Sequence, residues 1–72
     1  MSENSPVDLE KLVDSKVTVF TKGRKKFKGV LTEYDDYMNL VLENAEEHQN
    51  EEKINQHELL VIKGGNIRTV VG

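Results

Sequence analysis

At Lys16 the spacing of apolar residues changes, and that change limits the possible folds more than any other feature of the chain. Before it, Leu9, Leu12 and Val13 recur at helical spacing behind Asp8 and Glu10, with Ser5 and Pro6 at the places of an N-cap and a first helical residue. The pattern predicts one short amphipathic helix over about residues 6 to 14. After Lys16 the period is two. Val17, Val19 and Thr21 fall on one face of a strand, Phe27, Gly29 and Leu31 on one face of a second, and Met38, Leu40 and Leu42 on one face of a third. The third strand is expected to run to about Glu47, turn near Gln49 to Glu52, and return through Ile54 towards Leu59, Leu60, Val61 and Ile62. Gly64 and Gly65 then turn the chain into a last strand from Asn66 to Val71. Gly23, at the first central place of the turn Lys22 to Lys25, suits a type II′ hairpin, and Gly29 inside the second strand permits a sharp bend or bulge.

A short N-terminal helix followed by five strands, one with an interior glycine, predicts a mostly β fold: a strongly bent, five-stranded antiparallel sheet forming a small open barrel. Seventy-two residues allow a single domain, expected over residues 6–72 behind a disordered N-terminus at residues 1–5. So small a core is marginal on its own. The chain has no cysteine, hence no disulfide and no thiolate metal site, which leaves assembly with other chains as the remaining staple. The apolar closing strand, IRTVV, agrees with that, because as a free edge it is a template for pairing. No apolar run approaches the roughly 18 residues of a membrane span, and the start MSENSPVDLE lacks the regions of a signal peptide, so a soluble, cytoplasmic protein with no membrane partner is expected.

Charge is segregated. The net charge of -3 conceals a basic run from Lys22 to Lys28, KGRKKFK, with five positive charges, and an acidic stretch from Glu43 to Glu58 that carries six acids against Lys53 alone. The first reads as a turn open to solvent, the second as a solvated hairpin. No catalytic constellation emerges: His48 and His57 read as surface histidines, at least one of Asp35 and Asp36 as a turn former, and Gly64 with Gly65 lacks the following GK[ST] and helix of a phosphate loop. The chain is therefore read as a non-enzyme without cofactor or metal. What remains is a local set suited to single-stranded nucleic acid. Tyr37 offers a ring for base stacking, Asn39 an amide with donor and acceptor, and Lys63 a cation. On an extended segment Tyr37 and Asn39 point to one side and Met38 and Leu40 to the core. Taken alone, an ordinary half-buried tyrosine and a turn-forming asparagine fit those residues as well.

The segment GVLTEYDDYMNLVLENA, residues 29 to 45, resembles the first Sm motif, and VIKGGNI, residues 61 to 67, resembles the second, usually written I-R-G-x-N-[IV]. Two motifs at this separation make the chain similar to the Sm/LSm family, and within it to the short archaeal-type Sm-like proteins. The resemblance covers about residues 6 to 71. It implies a homo-oligomeric ring, typically a homoheptamer, joined by the fourth strand of one subunit and the fifth of the next. A hexamer is less expected, since the Tyr-Lys-His run of the bacterial type is absent. It further implies that single-stranded uridine-rich RNA binds at the central pore, with Tyr37 as stacking platform, Asn39 as base-edge reader and Lys63 as cationic wall. Asp35 then orients the asparagine, Gly64 lets the loops pack closely, and Asn66 is the polar residue after the glycines. RNA-processing proteins are possible partners, and a ring scaffold with little uridine selectivity is the alternative. Three departures from the family pattern stand out. Lys63 replaces the usual arginine and so cannot offer a planar fork, Tyr37 stands where histidine is common, and Gly23 comes one residue early in a turn usually made by Asn-Gly or Asp-Gly, inside the basic run, which this places on an outer rim where it can add contacts to RNA flanking the pore.

Overall fold

A computed structural model describes residues 9–72. The elements are a helix α1 (Leu9–Leu12) and five strands, β1 (Lys16–Thr21), β2 (Lys25–Tyr34), β3 (Leu40–Gln49), β4 (Glu52–Ile62) and β5 (Ile67–Val71), with single 3-10 turns at Lys22–Arg24 and Gly64–Asn66. All strand pairs are antiparallel, in the spatial order β4-β3-β2-β1-β5. The expected bent sheet and short helix are present.

Alternation places the core. Val17, Val19, Leu31, Leu40 and Leu42 are at most 1% exposed, and Leu9, Ala45, Ile62 and Val70 complete the cluster. Burying side chains of this kind stabilises by about 1.5–3 kcal/mol each. The bend comes from small residues and left-handed positions. A Cβ at Gly29 would stand 2.9 Å from the Glu43 carbonyl and 3.0 Å from the Ala45 Cα, so only glycine lets β2 cross β3 this closely. The ladder slips one place between Lys28 and Val30, opposite Asn44 at φ 51°.

Several expectations are corrected. The helix is shorter than residues 6 to 14; it ends at Leu12, while residues 6–8 and its Ser5–Pro6 cap lie outside the described residues, as does the 1–5 terminus. It ends because Asp14, at φ 69°, donates its N–H to the Leu31 carbonyl (2.7 Å), and Leu31 returns one to Ser15 (3.0 Å), which ties the chain to β2. The first hairpin is type I′ and not II′: Gly23 (φ 79°, ψ 17°) and Arg24 (φ 62°) are both left-handed. Met38 does not join the core stripe. It has φ 66°, is 37% exposed and belongs to a loop that precedes β3. The last strand begins at Ile67, one residue later than expected, because Asn66 closes the 3-10 turn. The acidic hairpin is not wholly solvated, as Glu47 is 7% exposed. Its tip, Asn50 and Glu51 at φ 52° and 67°, is the turn expected near Gln49 to Glu52.

Among the described residues the strand order leaves β4 and β5 each with one unpaired edge. Each border carries exposed apolar residues. Leu59 and Val61 on β4 are 64% and 56% exposed, and Val71 on β5 is 49% exposed.

Candidate functional site

β2 ends at Tyr34, β3 begins at Leu40, and the loop between them is organised by one carboxylate. Asp35 Oδ1 accepts the backbone N–H groups of Tyr37 (2.8 Å) and Asn39 (3.0 Å), and Oδ2 accepts from Asn39 Nδ2 (2.9 Å). Main-chain bonds close the same loop: Asp35 N–H to the Asn39 carbonyl (3.2 Å) and Met38 N–H to the Asp35 carbonyl (3.1 Å). Here lies the physical reason Met38 leaves the strand. An aspartate that captures the amides two and four residues on makes a turn in place of a pleat. The side-chain bond from Asn39, then the backbone bond from Asn39, hold the Asp35 carboxyl below the ordinary carboxylate range, with smaller help from the Tyr37 amide and the Lys63 charge.

The second glycine-rich turn docks on this loop. The Gly64 N–H donates to Asn39 Oδ1 (2.8 Å), and a Cβ at Gly64 would collide with the Tyr37 carbonyl oxygen. The Asn39 amide is thereby fixed from both ends, its nitrogen facing the carboxylate and its oxygen facing an N–H. Turning it over would set oxygen against carboxylate. An amide has two donor hydrogens and two acceptor lone pairs, so one of each stays free. Tyr37 is 80% exposed, its ring open to solvent. Lys63, the residue before Gly64, adjoins the loop, and its carbonyl accepts the Asn66 N–H (2.9 Å). Tyr37, Asn39, Lys63, Asp35 and Gly64 are thus brought together. Asn66 shares a cleft with Lys63 and does not join the Asp35 hydrogen-bond network.

Two features had no clear sequence signal. One is the close approach of Gly64 to the backbone of Tyr37. The other is the ionic cluster around Glu47, which takes a hydrogen bond at Oε1 from His57 Nε2 (2.8 Å) and an ion pair at Oε2 from Lys25 Nζ (3.1 Å). His57, chiefly, and Lys25 keep this carboxyl low against the opposing effect of burial. His48 Nε2 similarly meets Glu46 Oε1 at 3.2 Å. Among the described residues no group of three His, Cys, Asp or Glu is placed to hold a metal ion, and no helix is long and apolar enough to cross a membrane.

The LSM domain family model matches residues 7–72. The chain belongs to the LSM family. A protein of Methanosarcina acetivorans named as snRNP Sm-like is 43% identical to this LSM chain over 65 residues, covering 89% of it and 90% of the relative. Among solved structures, the Pyrococcus abyssii Sm protein in complex with a uridine heptamer superposes with a TM-score of 0.87 at 32% identity, covering 94% of this chain and 97% of that one. A heptameric archaeal Sm protein gives a TM-score of 0.80 at 25% identity, with 88% and 91% covered.

Proposed function

We propose that this LSM chain is a non-enzymatic, cytoplasmic RNA-binding protein whose copies close into a homoheptameric ring, β4 of one against β5 of the next, around single-stranded uridine-rich RNA. The single domain spans residues 6–72. The unpaired strand edges with their exposed Leu59, Val61 and Val71 support the assembly, and so does likeness to a heptameric Sm protein. The RNA reading draws on likeness to a relative described in complex with a uridine heptamer.

One observation carries the base preference: the Asn39 amide is locked. Uracil presents an acceptor, O4, beside a donor, N3–H. Cytosine presents a donor, N4–H, beside an acceptor, N3. A freely turning amide serves both, whereas a fixed one serves only the base whose order matches, once stacking and the sugar have set the base's direction. In this reading Tyr37 supplies the stacking face, Lys63 a cation beside base or phosphate, Asp35 and Gly64 the two clamps on the amide, and Asn66 a polar group on the same rim. Repeating the pocket around a ring turns modest sites into useful affinity.

Native mass measurement should give a single closed oligomer of seven chains. Binding of oligo-U should exceed that of oligo-C, and Asn39→Ala should abolish the difference while the ring persists. Equal binding of both oligomers would leave a scaffold ring, with RNA-processing or other proteins as its ligands.

A further inference from the structure

The basic run does not lie open on a featureless turn. At the tip of the β1–β2 hairpin, Phe20, Arg24 and Lys26 line a cleft of about 330 Å³ with His48 and Glu51 from the β3–β4 hairpin and Arg68 from β5. The register explains why they meet. Phe20 pairs with Lys26 and Lys26 with His48, so the three stand side by side across β1, β2 and β3, on the face opposite Val19 and the core. Phe20 is 38% exposed, an aromatic face left on the outside of the sheet. Among the described residues no carboxylate stands within ion-pair distance of Arg24, Lys26 or Arg68, and Glu51 is the sole acid in the wall. Lys25, by contrast, is committed to Glu47.

Arg24 adds an independent observation. A type I′ turn favours glycine at its second central place, yet here glycine comes first and arginine holds the second, left-handed, at φ 62°. The reversed order puts a guanidinium into the cleft at a cost in backbone strain. The cleft also shares Thr21 and Lys25 with a second cleft of about 370 Å³ that contains Lys22, Lys63 and Asn66. Cationic groups therefore run from the loop of Lys63 to the outer face.

From this arrangement we infer that the Phe20 cleft is a second contact site for single-stranded RNA, in which a base stacks on the Phe20 ring and its phosphates lie against Arg24, Lys26 and Arg68. It deepens the RNA reading but differs from the pore in chemistry. It has no locked amide, so it takes any base, and its affinity rests on phosphate charge.

The test uses assembled protein carrying Tyr37→Ala and Asn39→Ala, titrated with a 15-nucleotide oligo-A at several salt concentrations. That protein should bind oligo-A, and adding Phe20→Ala, Arg24→Gly and Lys26→Gln should weaken binding about tenfold or more. The slope of log affinity against log salt should fall by about 1.4, the share of two lost phosphate contacts. Arg24→Gly relieves strain and Phe20 and Lys26 lie outside the core, so the oligomer persists by native mass. In the otherwise native chain the same three changes should leave the oligo-U over oligo-C ratio unaltered. No oligo-A binding, or binding indifferent to the three changes, overturns the inference. Loss of the oligo-U preference in the unaltered protein overturns the pore reading alone.

Discussion

Asp35 and Glu47 sit near opposite ends of β2, and each carboxylate accepts from several donors. Asp35 is exposed and gathers neutral amides, two from the backbone and one from Asn39. Glu47 is 7% exposed and gathers Lys25 and the His57 ring. Water competes freely with the first set, so it adds little to stability and much to orientation. In the second set the Glu47 carboxylate is shielded, so losing its donors strands it where little water can reach. One acid therefore shapes a reading head, while the other fastens a sheet.

The largest expected effect is that of Gly64→Ala. The new methyl collides with the Tyr37 carbonyl, so the two loops part; stability should fall by about 3 kcal/mol in thermal unfolding, and oligo-U binding should fall at least a hundredfold. Next, Glu47→Leu should cost about 1 kcal/mol by removing the acceptor shared by His57 and Lys25, both of which water can reach, and should leave the oligo-U to oligo-C ratio as it was. Asp35→Ala is its mirror image, expected to cut that ratio about tenfold with a barely shifted melting temperature. If the two variants exchanged these signatures, the contrast drawn between the carboxylates would be broken.

Acid treatment probes both together. Each carboxyl is held below its ordinary value, so its contribution is complete above the unfolded value, about 3.9 for Asp and 4.3 for Glu, and is lost as pH falls through the lowered folded value. Oligo-U selectivity and stability should be flat from about pH 7 to 5 and decline only below about pH 4. A decline already at pH 6 would point to other groups. The smallest effect belongs to the acidic tip: Glu51→Gly makes an Asn-Gly type I′ turn and should raise stability by about 0.5–1 kcal/mol with uridine binding unchanged.

Period and glycine placement made much of the fold legible. Val17, Val19, Leu31, Leu40 and Leu42 alternate as their burial requires, and Gly29 marks the close crossing of β2 and β3. Met38 departs from the alternation for a definable reason: the pattern counts residues, while Asp35 closes a turn that interrupts the count. The burial of Glu47 is hidden from the sequence because its partners are Lys25, on a neighbouring strand, and His57, ten residues on, which no local pattern reveals. In the candidate site the residue types of Tyr37, Asn39 and Lys63 were visible along the chain. The clamp that freezes Asn39 was not, since it needs the Gly64 backbone from 25 residues away.

The borders on β4 and β5 are unlike one another, so any assembly built on them adds copies head to tail, each turned by the same angle. The angle of each step depends on how the two borders face one another, and the bend at Gly29 is one feature of the subunit that bears on it. An angle that divides the full circle evenly ends growth. One that misses by a few degrees winds the same subunits into an open filament, so ring or fibre is decided by that one angle.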